Sequence, residues 1–470
     1  MIRHTRIRDL VHGTVYLTEL ETKIVDHPLF QRLKHIRQND IAYAVYPSIN
    51  TSRFEHVLGA CHVAGMMAEN MKESPKWQKY ARELKKLTGV SKEEFVELVR
   101  LYALTHDIGH FPFSHLFEEA VRNLDVYARA DSNQIVTAWF GPSRFTKLHE
   151  AFSALMIQRI AQDVAMPEHI HKALLRIMTT KVLEESDILY VVKSIVDSQI
   201  DADRIDFVAR DAKLTGGEYG NHDINRLCTS VFIDKDHRGW HVAYSEKAIP
   251  SMEALLLDRY RAYAWIFFHQ KVATMKMFMQ FLIGVLFERG IITPSTFTNV
   301  TTDNLLLLDD IWLWGLIRSL DAQGDTTIEI AKRAILFREK ANFTNLWKNR
   351  PQFHERNARI KKAQGARGED KYEYVRHIEE KIGIRIFTFE TGIEAIKDKP
   401  KIPLYSETGK GGITGQTLED VSCLVASLNK IASEEPEYYR ILVAPDIGKE
   451  ANKKREEYFR GMEDWYARIQ

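Results

Sequence analysis

The stretch LTHDIGHFPFSH, Leu104 to His115, places His106, Asp107, His110 and His115 in one apolar run. Imidazole and carboxylate groups at that density suit two jobs, holding a cation and moving protons near neutral pH. Upstream, TSRFEHVLGACHVAGMM contributes His56; downstream, SQIDADRIDFVARDAKLTGG offers Asp201, Asp203, Asp206 and Asp211. One histidine, a His-Asp pair and a remote aspartate make a mixed donor set. It suits Mn, Fe, Zn or Mg with positions left open, rather than a closed structural zinc site. Taken singly, a buried histidine is more often a hydrogen-bonded core residue than a ligand. Together, these groups would leave costly unpaired polar atoms unless they shared a cation or a hydrogen-bond network.

The elements that must position them follow from periodicity. Ser52 and Glu55 form a capping-box pattern before the apolar run Val57, Cys61, Ala64, Met67, so His56 falls in the first turn of a buried helix. The pattern FVELVRLYALTHD predicts a second helix that delivers His106 and Asp107 at its C-terminal end, where Gly109 and Pro112 stop it. Asp201 to Asp211 fall on a third, closed by Gly216 and Gly217. Most of the chain to Arg289 reads as helix, including one very long pattern from about Pro250 to Arg289, apolar nearly all round. That pattern fits a central core helix or a subunit interface, and its apolarity predicts self-assembly. Between Lys340 and Arg376 ten basic residues stand against four acids. Beyond lie short strand-like runs, IRIFTFE and RILVAP, separated by the glycine-rich ETGKGGITGQ, with one helix-like run, TLEDVSCLVASLNKIA. The expected class is mostly α: a helical core over 1–335, a basic linker over 336–380 and a small α+β domain over 381–470.

Composition narrows the function. The 470 residues are 45% hydrophobic and carry 65 Lys+Arg against 64 Asp+Glu, so no global field advertises nucleic acid or anionic lipid, and any phosphate site is local. Three scattered cysteines, Cys61, Cys228 and Cys423, form neither a disulfide framework nor a zinc finger. The N-terminus MIRHTRIRDLVHG has no apolar signal core, and MFMQFLIGVLF is too short to span a bilayer. A cytoplasmic protein with no membrane partner is the expectation.

The motifs SRFEHVLG, HDIGHFPFSH and DADRIDFVARD, in that order, resemble the HD-domain phosphohydrolase superfamily and within it the deoxynucleoside triphosphate triphosphohydrolases. The similarity covers roughly residues 1–290. It implies an all-helical HD core and a metal held by His56, His106, Asp107 and Asp203. It implies hydrolysis of a dNTP at the α-phosphorus, releasing intact triphosphate, with additional Mg accompanying the triphosphate. His115 matches the proton donor to the leaving oxygen, and His110, His149 and Glu118 match its supporting residues. Arg53, Arg204 and Arg259 match phosphate contacts; Gln38 and Asp211 match contacts to the sugar 3′-hydroxyl. Asn39 departs from an apolar residue at the sugar edge, and Phe207 and Phe267 stand where tyrosine is typical, so both departures bear on deoxyribose selection. Asp26, Gln31, Lys34 and Lys247 match residues that bind an activating nucleotide between subunits, which implies a homo-oligomer, a tetramer or dimer of dimers.

Two rivals remain at this point. An HD nuclease or phosphodiesterase could track single-stranded nucleic acid with the basic stretch and its Phe343, Trp347, Phe353 and Tyr372. An inactive nucleotide sensor is the other, and the complete ligand set with His115 argues against it.

Overall fold

The computed structural model describes residues 5–122, 148–180, 183–293, 295–298, 302–339, 343–345, 373–391, 401–408, 411–434, 437–443 and 447–469. Two antiparallel strands come first, β1 (Thr5–Asp9) and β2 (Gly13–Leu17), followed by helix α1 (Glu19–Asp26). The helices that matter for the site are α2 (Arg53–Met71), α3 (Phe95–Thr105), α4 (His115–Arg122), α5 (Leu148–Asp163) and α6 (Ala202–Thr215). The mostly helical class is what the three- and four-residue spacing required.

Local signals act as expected at the ends of these helices. Ser52 and Glu55 close a reciprocal capping box on α2, which places His56 in its first turns. Asp201 caps α6 by accepting from the Arg204 amide, and Gly216, at φ 63°, ends it in the left-handed region. Helix α2 packs between α3 and α6, so the three segments that carry the motif residues share one interface.

Three points add to or correct the expectations. Most of the region before Arg289 is helical, as read from the sequence, and β1–β2 and a second hairpin, β3 (Val231–Lys235) with β4 (Trp240–Ser245), interrupt it. These strands are five or six residues long, too short to dominate a helical window. The long apolar pattern is also not one helix. It divides into α7 (Ile249–Ala262) and α8 (Gln270–Glu288) around a π turn at Tyr263–Phe267, and extended His269 caps α8 through its own side chain. An all-apolar surface carries no period from which such a break could be read. Helix α8 is covered by α4, by the helix Thr326–Phe337 and by strand β6 below, so its apolarity is accounted for by this chain's own core and carries no argument for self-assembly.

The third concerns the tail. Strands β5 (Phe343–Asn345), β6 (Arg385–Thr391), β7 (Pro403–Ser406), β8 (Gly412–Thr417) and β9 (Glu437–Val443) form two groups. IRIFTFE and RILVAP pair as β6 and β9, with β5 on the other side of β9. The glycine-rich segment is not a mere separator. It contains β8, and the hairpin β7–β8 extends the core's own sheet in the order β3-β4-β7-β8, with β7 parallel to β4. The Phe232 and Tyr405 rings stack at 4.3 Å across this junction, and Asp234 accepts from the Ile413 amide at 2.8 Å. Most of the basic stretch, with Trp347, Phe353 and Tyr372, lies outside the described residues.

Candidate functional site

The capped start of α2, the end of α3 and the first turn of α6 meet at one point. His56 Nε2 lies 2.7 Å from Asp203 Oδ1, and His106 Nε2 lies 3.6 Å from the same oxygen and 3.5 Å from Asp107 Oδ1. Donor atoms of His56, Asp107 and Asp203 all fall within 4.8 Å of one another. His56 and Asp107 are buried, and Asp203 is a quarter exposed.

The donor set fits a divalent cation. His56 is gripped on both sides by carboxylates, Asp206 at Nδ1 (2.9 Å) and Asp203 at Nε2. Burial would lower its pKa, but the hydrogen bonds to Asp203 and Asp206 push it up to about 10. That arrangement calls for positive charge between Nε2 and Asp203, which a proton or a metal ion can supply. His106 directs Nδ1 at the Ala103 carbonyl, 2.9 Å away, which leaves Nε2 to face the acids. Asp107 is held well below the usual carboxylate range; burial opposes this, and the charges of His106 and Arg53 outweigh it.

A histidine cluster adjoins this point. The His110 and His149 rings stack at 4.1 Å, and His115 sits edge-on to both, at 4.7 and 5.3 Å. Ring nitrogens of the three converge closely enough to hold a small ion. Gly109 brings the cluster together: a Cβ there would lie 2.2 Å from the Ser153 amide and 2.4 Å from the His149 carbonyl, so any side chain would push α5 away. Glu118 orients His149 through Nδ1 at 2.8 Å and accepts from the backbone amides of Leu148 and His149. These bonds and the charge of His149 overcome burial and keep Glu118 anionic. His110 Nε2 stands 3.2 Å from Asp107 Oδ1. Burial, then the Arg53 charge, keeps His110 neutral, well below an ordinary imidazole.

His115 follows a strained turn. Phe113 and Ser114 both have positive φ, 54° and 56°, uncommon for residues with side chains and frequent near functional groups. The turn is held from outside: Asp310 accepts from the Phe113 amide at 2.6 Å, and Ser114 Oγ accepts from Arg53 Nε at 2.7 Å while donating to the Arg37 carbonyl. His115 is 54% exposed, and its Nδ1 is 3.7 Å from Glu118 Oε2. Surrounding protein lowers its pKa from the ordinary value, although the nearby Glu118 carboxylate acts to raise it.

Arg53 is buried and also bonds Asp107, so it serves the metal point and the turn together. Arg204 pairs with Asp201, and Arg259 lies close enough to Arg204 to feel its charge. Burial, then Arg204, lowers Arg259 to about 10. Arg204 Nε and Arg259 Nε and Nη1 are buried without protein partners. Two such guanidinium groups side by side favour an anion of several charges.

Asn39 donates to Asp211 Oδ1 at 2.7 Å, while Gln38 Oε1 and Asp211 Oδ2 are buried without partners. Burial raises Asp211 to about 7. Phe207 is half-buried against the main core, and Phe267 packs with Ile49, Ala212 and Tyr219. The expected activator residues are scattered in role. Asp26 and Lys34 are exposed, Gln31 donates to the Val25 carbonyl at 2.6 Å, and Lys247 pairs with Glu407 of the tail at 3.0 Å.

Sequence reasoning missed Arg32 and His12, and named Asp206 among the acids of α6 without giving it a role. Arg32, buried, donates to the carbonyls of Ile108 and His110 at 3.0 and 2.7 Å and so fixes the loop after Asp107. Asp206 and His12 lie behind His56. Asp206 had a signal, one helical turn after Asp203 and four before Arg210; Arg32 and His12 had none.

Residues 53–180 match the family model described as HD domain. An uncharacterized protein of Methanocaldococcus jannaschii is 30% identical over 312 residues, 66% of this chain and 54% of that one. The deoxynucleoside triphosphate triphosphohydrolase SAMHD1 homolog of Dictyostelium discoideum is 26% identical over 269 residues, 56% of this chain and 46% of its own. Human deoxynucleoside triphosphate triphosphohydrolase SAMHD1 is 37% identical over 113 residues, 24% of this chain and 16% of its own. The chain spans about half the length of the curated relatives it matches first. A crystal structure of a hypothetical protein from Aquifex aeolicus superposes with TM-score 0.62 at 22% identity over 96% of this chain and 99% of that one, a likeness of fold.

Proposed function

For a chain that carries an HD domain, we propose metal-dependent hydrolysis of deoxynucleoside triphosphates to deoxynucleoside and inorganic triphosphate. The observation that carries this reading is the buried pair Arg204 and Arg259, with unpartnered N–H groups and with Arg204 next in sequence to the ligand candidate Asp203. His56, His106, Asp107 and Asp203 would hold the cation, which when bound supplies Lewis acidity to water and phosphate oxygens. Arg204 and Arg259 bind the phosphate chain with its accompanying Mg, and Arg53 keeps Asp107 anionic and the His115 turn in place. Water attacks the α-phosphorus and releases a proton to solvent, the bond to the 5′-oxygen breaks, and His115 gives that oxygen its proton. Glu118 steadies the protonated form of His115, which the surrounding protein would otherwise discourage. Gln38 Oε1 and Asp211 Oδ2 face the sugar 3′-hydroxyl with acceptors that no protein group uses.

The test is incubation with each dNTP and NTP in Mn or Mg, followed by chromatography of products. Deoxynucleoside plus triphosphate is expected. Diphosphate with orthophosphate, or shortened oligonucleotides when single strands are supplied instead, overturns the reading.

A further inference from the structure

The N-terminal hairpin reaches the back of the metal point. His12, in the β1–β2 turn, places Nε2 2.7 Å from Asp206 Oδ1, and the other oxygen of Asp206 faces His56 Nδ1 at 2.9 Å. Arg210, one turn along α6, donates to both oxygens, at 2.8 and 3.0 Å. The Asp206 carboxylate therefore receives four donors from three side chains, close to the most it can accept. All of it is out of water: Asp206 is fully buried, and His12 and Arg210 are 4% and 2% exposed.

Two further features fit this assembly. Asp9 Oδ1 accepts from the Val11 and His12 amides, both at 2.8 Å, and Asp9 Oδ2 meets Arg210 at 2.9 Å, so the turn is tied to the same arginine that holds Asp206. Gly59, one turn after His56 on α2, provides the space. A Cβ there would stand 1.9 Å from Asp206 Oδ1 and 2.4 Å from Arg210 Nη2.

We propose that His12 is a positioning residue of the metal centre, acting through Asp206 to fix the ring of His56 with Nε2 turned toward the cation. A carboxylate offers only acceptors, so Nδ1 of His56, against the buried Asp206, carries hydrogen; Nε2 faces Asp203, a ligand candidate itself, and is the nitrogen that ligates when a cation takes the place of the hydrogen between them. Asp206 can hold that orientation only while its own position is fixed, and His12 supplies the bond on the side away from Arg210 Nε. The hairpin is thereby part of the metal site although it contributes no ligand. This rests on the metal-dependent reading above.

The test is metal affinity, measured by chelator competition with Mn or Co, together with the visible spectrum of the Co-loaded protein and its melting temperature. His12→Ala is expected to weaken affinity about tenfold and to shift the Co bands, the scale usual for groups behind a ligand. His12→Gln, whose amide can still donate to Asp206, should recover most of the loss. His62→Ala removes the ring that packs 5.1 Å from His12 without touching Asp206, and should leave affinity unchanged. Unaltered affinity and spectrum in His12→Ala overturn the inference, as does a loss that His12→Gln fails to restore. Should the unsubstituted protein bind no divalent metal, the functional reading fails instead.

Discussion

The proposed metal end and the proposed anion end of the site treat their polar atoms in opposite ways. Around His56 and Asp203 hydrogen bonds close on one another: Asp206 has four donors, His106 has its carbonyl and Arg53 has Asp107 and Ser114. Around Gln38, Arg204, Asp211 and Arg259, buried atoms stand without protein partners. Leaving a buried polar group unmatched costs about 1–3 kcal/mol, so such atoms persist where a ligand completes them. On the proposed reading, the contrast separates what the fold fixes before substrate arrives from what substrate itself completes.

Substitutions can break that contrast, and the largest effect belongs to the closed end. Asp203→Ala should abolish both bound metal, by elemental analysis, and turnover; full metal content would end the assignment. His115→Ala should keep metal and lose ~100-fold or more in kcat, the usual scale for a missing acid. At the open end, Arg259→Gln should retain metal and raise KM by roughly tenfold to a hundredfold, since a charged hydrogen bond contributes about 1.5–3 kcal/mol. An equal loss of metal in Arg259→Gln would erase the distinction between the two ends. Sugar choice should move less. The Asn39 amide is already engaged with Asp211, so the wild type should favour dGTP over GTP in kcat/KM, and Asn39→Leu with Phe207→Tyr should change that ratio only severalfold. Preference for GTP would remove the deoxynucleotide part of the reading and leave the hydrolase part. Smallest of all, Ser52→Ala should cost about 1 kcal/mol of stability from the lost cap on α2, seen in the melting temperature.

The local parts of the site were legible because their signals are local. The capping box fixed the first turn of α2, Gly216 marked the end of α6, and the order of H, HD and D motifs named His56, Asp107 and Asp203, whose donor atoms the fold groups together, and His106 beside the two acids. What escaped is long-range. His12 and Asp206 are 194 positions apart, and Arg32 reaches carbonyls 76 and 78 positions away. Backbone carbonyls leave no trace in sequence, and a histidine in a charged N-terminal segment looks like any surface residue. The π turn at Tyr263 escaped for the opposite reason, because an apolar run without a period hides where it bends.

The strand β7 beside β4 has a consequence for how the chain comes to be made. Tyr244 and Ser245 pair with Leu404 and Tyr405, about 160 residues later. During synthesis β4 emerges long before its neighbour and waits as an open edge, with backbone groups able to recruit any other strand. Contacts of such high sequence separation slow folding. Chains cut short before Pro403 would keep that edge permanently, and should aggregate even though every motif residue is present.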